Sequence, residues 1–185
     1  MKNTKKSTLF TPKAIAVMGL CTAMTIVLDK FVAFPIGNSI RVGLGALPVI
    51  FAAIYLSPIA GAVIACVADI LGCLIVGYSI NPLITLGFVL TAFLSGVFYN
   101  CVFTKVPLTL RLFLSIIPAA AVGSALVTSF GLWLYYAQGT PFLLYVLSRL
   151  PSFAFNYISI AVVIRLIVLN KGARAFFGRL RGETK

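Results

Sequence analysis

An all-α membrane protein, a compact bundle of six transmembrane helices, is the fold class that this 185-residue sequence predicts. Three observations carry the prediction. Hydrophobic residues make up 61% of the chain and charged residues 10%, where a soluble domain carries about 25% charge. Mean hydropathy is +1.11, which is more apolar surface than a soluble fold of this size can hide. Punctuation by proline, glycine and polar residues divides the chain into six apolar stretches near the ~20 residues that cross a bilayer.

Residues 1–11 form a basic N-terminal segment, and residues 12–170 form the membrane domain. The first helix is expected from Pro12 to Phe34. It is too long for the apolar stretch of a secretion signal and has no clear cleavage site, so it is read as retained. Pro35, Gly37 and Asn38 mark a turn, and the second helix is expected from Ile40 to Leu56. The third opens on Pro58, a favoured first-turn proline, and runs to Tyr78. The fourth runs from Pro82 to Phe103, and Lys105 to Arg111 is a basic loop. The fifth runs from Leu112 to Ala137. Gln138, Gly139 and Thr140 form a tight turn, and the sixth helix runs from Pro141 to Asn170. Residues 171–185 form a basic tail, expected as a surface helix with Phe176 and Phe177 dipping into the interface.

The formal net charge is +12. In a soluble protein that balance would point to nucleic acid. Here eleven basic residues fall at the two ends and in the Lys105–Arg111 loop, all on one side of a six-helix bundle. The positive-inside rule and attraction to anionic lipid explain them, without nucleic acid, and place both termini in the cytoplasm. The chain has no His, so the commonest general base and metal ligand is missing. Cys21, Cys66, Cys73 and Cys101 lie in apolar segments without Cys-x-x-Cys spacing, and they read as packing residues rather than a metal site or disulfide framework. With no catalytic constellation and no phosphate-binding loop, neither an enzyme nor an ATP-driven pump is indicated, and no cofactor is expected.

Charge inside a membrane costs at least about 2.5 kcal/mol per residue, so each such residue is a functional candidate. Arg165, near the cytoplasmic end of the sixth helix, is placed to snorkel. Asp29, Lys30, Arg41, Asp69 and Arg149 all fall in the outer half of the expected bundle. Tyr78, Asn81, Trp133, Tyr135, Tyr136 and Tyr145 fall there too, and Asn156 shares the helix face of Arg149 seven residues on. This pattern predicts a polar, aromatic-lined cavity for a small organic anion. Arg and Lys would grip a carboxylate, rings would stack on a flat heterocycle, and Asp69 would accept hydrogen bonds from an amino-heterocycle. The competing explanation is that Asp69 and Arg149 neutralise each other while Tyr135 and Tyr145 belong to the interfacial aromatic belt. Small residues four apart, at Gly19 and Ala23, Gly61 and Ala65, Ala68 and Gly72, and Ala92 and Gly96, offer close-packing faces. The pair on the first helix suits a partner, because that helix is expected at the bundle's edge.

The run from Ile40 to Pro48, followed by Ser57-Pro58-Ile59-Ala60-Gly61 and Ala68-Asp69-Ile70-Leu71-Gly72, resembles the substrate-binding S components of energy-coupling factor (ECF) vitamin transporters. The stretch Gly87 to Gly96, which contains Phe88, is similar to the fourth helix of the folate-specific branch. Leu132-Trp133-Leu134 with Tyr136, then Gly139 to Phe142 and Arg149, is similar to the same branch. The resemblance covers about residues 12–165. Two features differ from that branch: only Tyr78 is aromatic in the loop before the fourth helix, and Phe130-Gly131 stands where a polar pair is usual. The resemblance implies a multi-pass protein of a prokaryotic plasma membrane. It would capture folate or a related pterin outside and dock onto a T component coupled to two ATPase subunits. Lys30, Arg41, Asp69, Tyr78, Phe88, Trp133, Tyr136, Arg149 and Asn156 would bind substrate, and Gly19 and Ala23 would contact the T component. An S component for another vitamin or heterocycle is the alternative within this class. A non-transport membrane scaffold is the alternative outside it.

Overall fold

The computed structural model of the protein describes residues 12–36, 40–137 and 139–170. The basic segments 1–11 and 171–185, with Phe176 and Phe177, lie outside them, as do Gly37, Asn38 and Gln138. The described chain is all-helical apart from one small hairpin. Helix α1 (Pro12–Ile26) continues into a π-helical turn (Val27–Phe31). Strands β1 (Phe34–Ile36) and β2 (Ile40–Val42) pair antiparallel, with Phe34 opposite Val42. Then follow α2 (Ala46–Tyr55), α3 (Pro58–Val76) and α4 (Pro82–Val97), the last ending in a second π turn (Phe98–Val102). The fifth rod is composite: α5 (Leu108–Ala120), a π segment (Ala121–Thr128) and α6 (Ser129–Tyr136). Helix α7 (Phe142–Leu169) closes the fold.

Five of these rods are long and apolar enough to cross a membrane. Helix α2 is not: its ten residues rise about 15 Å, half of a ~30 Å hydrocarbon core. The expected second span, Ile40 to Leu56, is therefore corrected to the second strand of a β-hairpin followed by a half-length helix. The physical reason lies in Gly43 and Gly45. A β-carbon on Gly43 would collide with Ala33, and one on Gly45 with Asp29, so these residues let the chain turn closely past the end of α1 instead of extending a helix. Helix α2 survives without lipid contact along most of its length. Val49, Ile50, Ala52 and Ala53 are fully buried, enclosed by α1, α3, α4 and α7.

The remaining boundaries follow local chemistry. Ser57 caps α3 by accepting from the Ala60 N–H, with Pro58 at the first position, and Gly77 ends it in the left-handed region at φ 79°. Asn81 caps α4 through the Leu83 N–H, again with proline next. Helix α5 starts at Leu108 rather than Leu112, so half of the expected basic loop is helical. There Arg111 Nε and Nη2 donate to the Tyr99 carbonyl at 2.9 and 2.6 Å. The guanidinium lies 4.0 Å above the Tyr99 ring, so Arg111 caps the end of the fourth rod. Helix α4 is central and packs against α2, α3, α5 and the π segment. Its crossing with that segment is close because Gly87 and Gly123 face each other's backbone. Outward faces are apolar, with Leu20, Leu74, Leu143 and Leu166 exposed, as lipid contact requires.

Candidate functional site

A cavity of about 510 Å³ opens between α1, α3, α4, the composite fifth rod and α7. The π turns place much of its polar lining. A π turn inserts one extra residue per turn and re-aims the side chains around it. The first such turn carries Asp29 and Lys30, and the longest carries Ser124, Ala125 and Thr128, all of which face the cavity.

One wall holds an ion triad. Lys30 Nζ lies 2.9 Å from Asp29 Oδ2 and 3.7 Å from Asp69 Oδ1. Asp69 also accepts a 2.6 Å hydrogen bond at Oδ2 from the Thr85 hydroxyl. Cys73 Sγ is 4.0 Å from both Lys30 Nζ and Asp69 Oδ1. Together Lys30, Asp29 and Asp69 carry one surplus negative charge.

The wall formed by α7 holds the opposite charge. Arg149 Nη1 donates to Ser129 Oγ at 2.9 Å, and its guanidinium lies 5.9 Å from the Tyr145 ring centre. Among the described residues no carboxylate pairs with it. Asp69 and Arg149 thus share the cavity without neutralising each other, and Asp69 turns to Lys30 instead. Asn156 Oδ1 accepts from the Gly43 N–H at 3.1 Å and ties the exit of the hairpin to α7. Tyr157, 8% exposed, lines the cavity as well.

Of the sequence-predicted substrate residues, the cavity brings together Lys30, Asp69, Tyr78, Phe88, Tyr136, Arg149 and Asn156. Trp133 stands apart. Its Nε1–H donates to the Thr140 carbonyl at 2.7 Å, and its ring packs on Phe130 and Phe142 at 6.2 and 5.7 Å, fastening the turn between α6 and α7. Arg41 has its backbone in β2, and its side chain lies outside the described residues. Tyr145, expected in the interfacial belt, lines the cavity, whereas Tyr135 is 60% exposed and does not. Gly19 and Ala23 are exposed on α1, and a β-carbon on Gly19 would meet nothing. Thr85 and Ser129, which hold Asp69 and Arg149, were not found by sequence reasoning. A hydroxyl in an apolar helix ordinarily bonds its own preceding turn, as Thr85 does to the Asn81 carbonyl and Ser129 to that of Ser124, so nothing local marks a second partner across the cavity.

A family profile described as "ECF transporter, substrate-specific component" matches residues 13–168. A search of curated protein sequences finds no match. Among solved structures, "Crystal structure of FolT bound with folic acid" superimposes with a TM-score of 0.69, covering 88% of this chain and 95% of that one. The two sequences are 22% identical, so the likeness is one of fold.

Proposed function

We infer that this chain, which belongs to the substrate-specific components of ECF transporters, captures folate or a related pterin. Capture would occur at the outer face of a prokaryotic plasma membrane, with delivery through a T component and two ATPase subunits. The observation that carries the substrate is the cavity's two poles. Among the described residues Arg149 offers a cation with no carboxylate of its own, while the Asp29–Lys30–Asp69 wall presents surplus negative charge. Folate has complementary ends: a carboxylate for Arg149 and a flat ring with an N–H edge for Asp69. Tyr78, Phe88, Tyr136 and Tyr145 lie between or beside these poles as stacking surfaces. The cavity's size suits a drug-sized molecule, since ligand pockets run from about 300 to 1,000 Å³. The basic residues at both ends and around Lys105 support a cytoplasmic side for the termini, with the cavity toward the outside.

A ligand that binds only the folded state raises stability by RT ln(1 + [L]/Kd), about 2.7 kcal/mol at a hundredfold excess over Kd. Purified protein in detergent, melted against a panel of vitamins, is expected to rise in Tm with folic acid and its reduced forms and with no other member. A rise with a different vitamin alone would displace the folate assignment. No rise with any member would leave an S component for a substrate outside the panel.

A further inference from the structure

Lys30 is a cation in the cavity wall that is already surrounded by anions. Its side chain is 7% exposed, and its stem runs across Gly72, where a β-carbon would stand 2.7 Å from Lys30 Cε. That glycine is the slot through which the side chain reaches from α1 to α3. The ammonium ends between Asp29 on its own rod and Asp69 on α3, beside the Cys73 thiol, and the Thr85 hydroxyl of α4 holds the far oxygen of Asp69. A ligand carboxylate brought to Lys30 would approach two carboxylates at the same time. Arg149, on α7, has no such competitor among the described residues.

We propose that Lys30 is a positioning residue, an internal counter-ion that balances Asp29 and holds Asp69 in place to receive the N–H edge of the ligand's ring, and that it does not grip the ligand's anion. The inference rests on the folate or pterin reading above. It separates the two cations of the site by role. Arg149 reads the carboxylate end, while Lys30 acts on the ring end through the carboxylates it balances.

The test measures Kd for folic acid and for its dimethyl ester, which keeps the ring and loses the anionic charge. The proteins are the wild type, Lys30→Met, Arg149→Met and the double variant Asp29→Asn/Lys30→Met. Lys30→Met is expected to weaken both compounds by the same factor, about tenfold or more. Arg149→Met is expected to weaken folic acid and spare the ester. The double variant removes the cation together with one anion, so it is expected to restore binding of both compounds toward wild type. Loss confined to folic acid in Lys30→Met would make Lys30 an anion ligand and overturn the proposal. Failure of the double variant to recover would also overturn it, since a simple packing defect gives that result. If Lys30→Met does not fold, the double variant carries the same decision by itself. A wild type that binds neither compound overturns the substrate reading and this inference together. A wild type that binds folic acid with unequal losses in Lys30→Met overturns the inference alone.

Discussion

Removing the Arg149 guanidinium takes from the cavity a cation for which the described protein supplies no carboxylate. Two consequences follow at the scale of the residue. Among the described contacts the free protein loses the bond to Ser129 Oγ and the approach to the Tyr145 ring, so Arg149→Ala is expected to keep its fold and melt within a few degrees of wild type. Bound folate loses a charge-assisted pair in a water-poor site, which costs about 2–5 kcal/mol, or roughly 30-fold or more in Kd. Isothermal titration beside a melt separates these outcomes; an unfolded Arg149→Ala would instead show that the guanidinium stabilises the bundle. The charged residues of the cavity were legible in the sequence because charge is rare in an apolar span. Their partners were not. Asp69 lies sixteen residues from Thr85, and Arg149 twenty from Ser129, distances at which helical spacing says nothing about contact. The same blindness made a mutual Asp69–Arg149 pair look reasonable, although Lys30 is the cation that reaches Asp69.

Elements were legible wherever an apolar run and its punctuation agreed. Ser57-Pro58, Gly77 and Asn81-Pro82 set the ends of α3 and the start of α4 as turn and capping chemistry demands. The run from Ile40 to Leu56 misled because apolarity alone does not separate a strand from a helix, and it forms the second strand of a hairpin, a turn at two glycines and a half-helix. The π segment Ala121–Thr128 was also hidden, since it shares the composition of the helices on either side. Its tight crossing with α4 can be tested. A β-carbon at Gly123 would overlap Thr91 and the Gly87 carbonyl, and backbone atoms on that face leave little room to yield. Gly123→Ala is therefore expected to destabilise by about 1–3 kcal/mol, as overpacked interiors do, and to weaken ligand binding because Ser124 and Thr128 move with the segment. Gly19→Ala, which adds a methyl group in open space, serves as the control and is expected to leave the melt unchanged or slightly raised by helix propensity. Equal melts for the two variants would mean that the crossing yields to an added methyl group.

For the molecule as a whole, the question is which surface is left for a partner once the bundle has packed. The sequence offered four small-residue faces, and packing distinguishes them. Gly61 and Gly96 press on Ala53 of α2, and Gly72 on Lys30. Among the described residues Gly19 and Ala23 are exposed, and a β-carbon on Gly19 would meet nothing. Their face belongs to the rod Pro12–Phe31, of which only 17% is buried against 33–39% of the other four long rods. In lipid an apolar side chain there costs the fold nothing, so selection for stability has no reason to keep the stripe small. Close approach by a second helix does have one, because van der Waals packing between backbones is the main attraction available inside a bilayer. Gly19→Leu with Ala23→Leu is accordingly expected to leave folic acid affinity within about twofold and the melt unchanged, while uptake in cells carrying the T component and ATPases falls to background. Co-purification of the T component with the variant should fail in parallel. Uptake that persists with both leucines in place would put the transport partner on another face and return the α1 stripe to lipid.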